Sequence, residues 1–239
     1  MKNIWIIAKR EFSSFFNSLT AYIMLILFLG ISGLFTWFIG RDIFFIKEAS
    51  LQVFFSIAYW TLFFFIPAIT MRLIAEEKKS GTIELLLTKP VSDWQVVLGK
   101  FSATLGLVIV ALLLTLPYYI TVSLVGPIDH GATITAYLGL ILMSAAYISI
   151  GLFASSLTSN QIIGFLLALT IGIFFQILFS IFSGLMSGFF SELFHYLNLS
   201  THFESISRGV LDSRNIIFFL SIVFTGMVLT EANLAKSRL

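Results

Sequence analysis

Acid–base, nucleophilic or metal chemistry in this chain would have to come from three histidines (His130, His195 and His202), 12 Asp and Glu residues, and no cysteine. Thiolate nucleophiles, disulfides and cysteine-based metal sites are excluded at once. His195 and His202 stand two helical turns apart with Glu204 nearby, so they could share a face. No third ligand has metal-site spacing, and two histidines in an amphipathic segment are the simpler expectation. Gly184-Leu185-Met186-Ser187-Gly188 resembles a nucleophile elbow, but its first glycine lies one position too far from Ser187, and no apolar stretch contains a histidine to act as base. There is no G-x-x-x-x-G-K-[ST] phosphate loop and no H-E-x-x-H. The chain is expected to bind no metal and no nucleotide of its own, and to be no enzyme.

Chemistry of a different kind is concentrated in one charged island, Met71 to Pro90. There Arg72, Glu76, Glu77, Lys78, Lys79, Glu84 and Lys89 interrupt two long apolar blocks. The preceding helix is expected to continue through Arg72 to Lys79 and to stop at Gly81 in the left-handed conformation. Thr82 then stands where an N-cap belongs, opening a short helix over Ile83 to Thr88. Lys89-Pro90 ends it, because the residue before proline avoids the α region. Ser92-x-x-Gln95 is a capping box that starts the next helix, which passes through Trp94. Helix, tight turn, transverse helix, turn, helix makes a rigid lever that transmits force better than a loose loop. The alternative is a solvated charged face that only enforces topology.

The elements that must position this island are apolar. Mean hydropathy is +1.01, 58% of residues are hydrophobic and only 11% are charged, far from the roughly 25% charge of soluble domains. A net charge of +2 gives no reason to expect nucleic-acid binding. Crossing a bilayer takes about 20 apolar residues. Six such stretches occur: Thr20 to Gly40, Leu51 to Met71, Phe101 to Val125, Ala132 to Leu157, Gln161 to Ile181, and Ile216 to Ala235, the last being the weakest. The fold class is therefore all-α, a six-span helical membrane protein with both termini on one side. With the N-terminus inside, Lys2, Lys9, Arg10, Arg72, Lys78, Lys79, Lys89, Lys100, Lys236 and Arg238 lie inside. Only Arg41, Lys47, Arg208 and Arg214 of the 14 basic residues lie outside, which satisfies the positive-inside rule. The island is then cytoplasmic.

Residues 1–19 read as an amphipathic interface helix, with Ile4, Ala8, Phe12, Phe15, Phe16 and Leu19 at helical spacing. The fifth apolar stretch runs on to Phe190, too long for one upright helix. Ser180, Gly184 and Gly188 form either a close-packing face or a break in the chain. The clustered Ser183-Gly184 and Ser187-Gly188 favour the break. Ser191 to Asn215 is too apolar for a free loop and too polar to span, so it is expected as one or two short re-entrant or interfacial helices. The first five spans hold no ionisable core residue, unlike ion-coupled transporters, so free energy for any substrate cycle has to arrive through the island. The polar Gln176 in the fifth span either lines a pathway or bonds to a neighbouring helix.

Arg72-Leu73-Ile74-Ala75-Glu76-Glu77-Lys78-Lys79-Ser80-Gly81-Thr82-Ile83-Glu84-Leu85-Leu86-Leu87-Thr88-Lys89-Pro90-Val91-Ser92, between the second and third spans, resembles the signature of ABC-2 type transporter permeases. His202-Phe203-Glu204 and the run through Arg208, Gly209, Asp212 and Arg214 resemble the family's segment before its last span. Ala8-Lys9-Arg10-Glu11-Phe12 is similar to its N-terminal interface helix. Within the family the likeness is nearest to permeases of gliding-motility-associated ABC transporters. The resemblance implies one transmembrane domain over residues 1–239, with a coupling segment at 72–99 and an outer segment at 182–215. It also implies an exporter subunit of a bacterial inner membrane, both termini cytoplasmic, pairing with a second copy of itself or a related permease. A separate cytoplasmic P-loop ATPase would hold ATP and Mg. It would receive a coupling helix at Ile83 to Thr88, with Glu76, Glu77, Lys78 and Lys79 as a charged collar, Glu84 facing it, and Leu85, Leu86 and Leu87 filling its groove. A different class, a membrane scaffold or anchor in a motility or envelope machine, would share the docking island without needing a transport path.

Overall fold

In hydrocarbon every backbone N–H and C=O must be satisfied within its own segment, which a helix does and an open strand does not. The computed structural model, which describes residues 2–39, 50–82 and 91–236, is accordingly all-helical among the described residues. Helix α1 (Lys2–Asn17) is followed by α2 (Leu19–Trp37), whose N-cap Ser18 accepts from the Thr20 N–H. Helix α3 (Gln52–Thr70) carries Pro67 in its last turn, and the chain turns at 71–74 into the short α4 (Ala75–Lys79). The Ser92–Gln95 capping box forms as expected and opens α5 (Asp93–Leu113). Helix α6 (Leu116–Val125) follows, then α7 (His130–Ser156), capped by Asp129, and α8 (Gln161–Ile173), capped by Asn160. A π-helical turn at Phe174–Leu178 leads into α9 (Phe179–Leu185). The short α10 (Phe189–Leu197) and α11 (Leu199–Ser207) precede α12 (Ser213–Lys236).

Six helical stretches are long and apolar enough to cross a membrane, matching the six expected, with three differences. The third starts at Asp93 and is broken at Leu114–Thr115. There the Thr115 hydroxyl donates to the Leu112 carbonyl at 2.6 Å, and Pro117 has no N–H to continue the ladder. The last runs over 24 residues and is longer than the sequence expectation. The fifth ends at Leu185. Gly188, at φ +68°, reverses the chain, and the Ser191 hydroxyl donates to the Ser183 carbonyl at 2.8 Å, holding α10 against α9. The break is therefore the correct alternative. Gly184 has nothing within reach of an added Cβ among the described residues, so no close-packing face forms there among them. The segment after it forms two short helices, as expected.

Helix α7 is the pillar, packed by α3, α5, α8, α11 and α12. Of the apolar window of α7, 78% is buried, against 28% for α2 and 22% for the fifth stretch, so those two present most of their surface outward. Lipid tails are as apolar as leucine, so close van der Waals fit rather than escape from water selects this packing. Small residues on α7 provide it: Ala136, Gly139, Ala146, Gly151 and Ala154 let neighbours approach. Helix α1 lies on α5. Ala8 and Phe15 of its expected apolar face are buried there together with Ile7, while Phe12 and Phe16 are partly covered. Leu19 begins α2 and is exposed, as are Trp5 and Ile6.

Candidate functional site

The charged turn after α3 is shaped by residues distant in sequence. Pro67 loosens the end of α3, and Ser155, near the C-terminus of α7, takes over the turn. Its hydroxyl donates to the Met71 carbonyl at 2.8 Å and accepts from the N–H groups of Ile74 and Ala75 at 3.2 and 3.0 Å. It thereby satisfies the first donors of α4, which has no N-cap side chain of its own. Neighbouring Ser156 offers its carbonyl to Lys78 Nζ at 2.5 Å and to Asn233 Nδ2 of α12. A cation at that position also meets the negative end of the α7 dipole.

The four charges of α4 divide. Glu76 and Lys79 are exposed, whereas Glu77 and Lys78 turn toward the bundle. Glu77 Oε1 accepts from Lys100 Nζ at 2.7 Å, and Glu11 Oε1 of α1 accepts from the same ammonium at 3.3 Å. Arg10 closes the group at 2.5 Å from Glu11 and 3.6 Å from Glu77. The Lys100 side chain is only 1% exposed. Burial pushes the Glu11 carboxyl upward, but Lys100 and Arg10 outweigh that and hold it below the usual carboxylate value. The hydrogen bond to Glu11 is the leading reason that the Arg10 guanidinium is raised. One ammonium thus joins α1, α4 and α5. In the sequence Lys100 reads only as a flanking positive charge and Glu11 only as part of the interface helix. Their partners lie 89 and 23 residues away, beyond any local pattern.

Gly81 adopts φ +71° and its N–H donates to the Lys78 carbonyl at 3.3 Å, so it is the left-handed stop that the sequence requires. Thr82 is exposed, and its hydroxyl lies 2.8 Å from that of Ser80. Ile83, Glu84, Leu85, Leu86 and Leu87 lie outside the described residues. A cavity of about 640 Å³ opens between α1 and α4, with Arg10, Glu11, Arg72, Glu76 and Glu77 in its walls. Arg72 Nη2 donates to Ser18 Oγ at 3.1 Å, so the turn also touches the start of α2.

The opposite end collects the other candidates. His202 is buried; Nε2 lies 2.7 Å from the Tyr196 carbonyl and Nδ1 2.7 Å from Asn215 Oδ1, and the ring stacks on Phe218 at 3.9 Å. His195 is exposed on α10 whereas His202 belongs to α11, so the two histidines do not share one helix face. Phe203 stacks on Tyr59 at 4.7 Å. Glu204 and Arg208 form an exposed pair at 3.4 Å. Gly209 turns at φ +92° over Ala132. Asp212 Oδ1 accepts from the Arg214 N–H at 2.9 Å, capping α12, and Arg214 is exposed. Gln176 sits in the π-turn, buried, where it accepts from the Tyr147 hydroxyl. It bonds to a neighbouring helix, and its Nε2 has no partner among the described residues.

Six membrane-length helices, one of them the pillar α7, define a multi-pass membrane protein. The chain matches the model of the ABC-2 family transporter proteins over residues 5–229 and belongs to that family, whose members are non-catalytic membrane subunits. No curated protein matches it.

Proposed function

We propose that this chain is the membrane subunit of an ATP-driven ABC-2 exporter in a bacterial inner membrane, with both termini cytoplasmic. A separate cytoplasmic P-loop ATPase holds ATP and Mg and docks on the segment that follows Gly81. A second copy, or a related permease, completes the transporter. The observation that carries this reading is the lock on α4. Glu77 and Glu11 both hold Lys100, while Ser155 and Ser156 hold the turn and Lys78. A push on the segment beyond Gly81 therefore loads α1, α5 and α7 together. Glu76, Lys79 and Thr82 remain exposed for contact with the partner. Service in envelope export, gliding motility included, rests on the sequence resemblance.

The test is purification from native membranes in mild detergent, with mass spectrometry of the bound proteins, for wild type, Gly81→Pro and Glu84→Lys. A P-loop ATPase is expected with the wild type and absent from both variants. Proline forbids the positive φ at 81, and lysine reverses the charge offered at 84. Retention of the ATPase by both variants moves the docking site elsewhere. Its absence from the wild type, while other membrane complexes survive, removes the coupling reading altogether.

A further inference from the structure

At the end of the bundle remote from α4, the first turns of α3 and α7 together with α11 line a cavity of about 560 Å³. That volume falls within the roughly 300–1,000 Å³ of small-molecule sites. Its closed side is aromatic: Phe55 is buried, and Tyr59 lies stacked on Phe203 with its hydroxyl 3.0 Å from Ser200 Oγ. Its rim carries both signs of charge, with Glu204 on α11, Arg208 just past its end and Asp129 at the start of α7. One wall leads out of the cavity along a single helix face. On α3, Gln52, Ser56, Trp60 and Phe64 recur every fourth residue and are all exposed, so they form one row along the axis. The row changes from polar at the cavity to apolar below it. Trp60 is 42% and Phe64 50% exposed, and Ile134 and Leu138 on the neighbouring α7 are exposed as well.

We propose that this cavity binds the headgroup of a zwitterionic phospholipid from the adjacent leaflet, with an acyl chain lying along Trp60 and Phe64. Three features select that ligand. A guanidinium matches a phosphodiester. Glu204 and Asp129 match an ammonium three bonds beyond the phosphodiester oxygen. The tryptophan sits where the polar cavity meets the apolar row, the depth that amphipathic rings prefer. Among the described residues, an anionic headgroup would meet two carboxylates for one cation, and a soluble zwitterion would leave the Trp60–Phe64 row unused. The site lies at the far end from the Lys100 cluster, so it neither requires nor supports the coupling reading.

The experiment is native mass spectrometry of the delipidated full chain in detergent, titrated with equimolar phosphatidylethanolamine and phosphatidylglycerol. Soluble glycerophosphoethanolamine serves as competitor. Phosphatidylethanolamine is expected to be retained over phosphatidylglycerol by about fivefold, the usual reach of one partly solvated charge contact. Arg208→Ala should lower its retention, and Glu204→Gln should bring the two lipids toward parity. Both side chains form an exposed pair, so unchanged thermal midpoints in these variants confirm intact folding. Equal retention of the two lipids by the wild type overturns the proposal, as does a preference untouched by both substitutions. Displacement by the soluble competitor at equal concentration overturns the assignment to a lipid.

Discussion

Lys100 is the residue on which the charged end depends. A lysine almost fully removed from solvent is tolerated only when carboxylates and hydrogen bonds replace its water, and here Glu11 and Glu77 do so at 3.3 and 2.7 Å. Lys100→Met keeps the aliphatic bulk but strands two carboxylates, with the half-exposed Arg10 as their remaining cation. We expect it to lower unfolding stability by roughly 2–4 kcal/mol, measured as loss of chemical or thermal stability in detergent. Combining it with Glu11→Gln and Glu77→Gln should return most of the loss. An unchanged midpoint for Lys100→Met alone would show that the cluster contributes nothing. The same residues set a pH dependence. The folded Glu11 carboxyl is held below its usual value, so the unfolded chain takes up its proton first as pH falls. Its contribution is present in full above the ordinary carboxylate range and disappears as pH drops through the lowered folded value. Wild type should therefore lose stability in acid more steeply than Glu11→Gln.

At the scale of elements, α3 and α7 pack tightly where Thr70 faces Gly151. An added Cβ on Gly151 would lie 2.7 Å from Thr70 Cβ, closer than such atoms come in real structures. Thr70 itself is buried and bonded to the Ile66 carbonyl at 2.9 Å, so it has little room to yield. Gly151→Ala is expected to cost about 1–3 kcal/mol by overpacking, and Thr70→Ala in the same chain to relieve it. If the two effects simply add in a double-mutant cycle, the helices are not in contact there. Comparing elements also shows what a linear reading can reach. Ser92–Gln95, Gly81 and Gly188 were legible because a cap or a chain reversal is decided within a few residues. The Leu114–Thr115 break escaped notice because one threonine and one proline change little in the hydropathy of a long apolar stretch. Ser155 escaped because a serine in a small-residue helix looks like packing until the turn it holds is known. The Glu11–Lys100–Glu77 cluster escaped for the same reason, its members being tens of residues apart. The burial of His202 was likewise invisible, since Asn215 and Phe218 reach it only after α12 folds back.

For the molecule as a whole the question is which end faces the cytoplasm, and the fold divides its charge accordingly. The α4 end holds Lys2, Lys9, Arg10, Arg72, Lys78, Lys79, Lys100 and Lys236 among the described residues, while the α11 end holds Arg208 and Arg214. Insertion leaves the more basic loops inside, so the α4 end should be cytoplasmic, which is also where an ATPase would have to dock. The chain lacks cysteine, so single-cysteine variants can report sidedness against no background. Ser80 lies exposed beyond α4, and Val210 lies exposed beyond α11. In intact cells a membrane-impermeant maleimide should label Val210→Cys and spare Ser80→Cys, which should react only once the membrane is opened. The reverse pattern would invert the molecule. It would place the charged turn where no ATP-driven partner can reach it, and the coupling proposal would fail with the fold left intact. Labelling of both sites in intact cells would mean that the α4 end is reachable through the bundle, at odds with the burial of α7 at its centre.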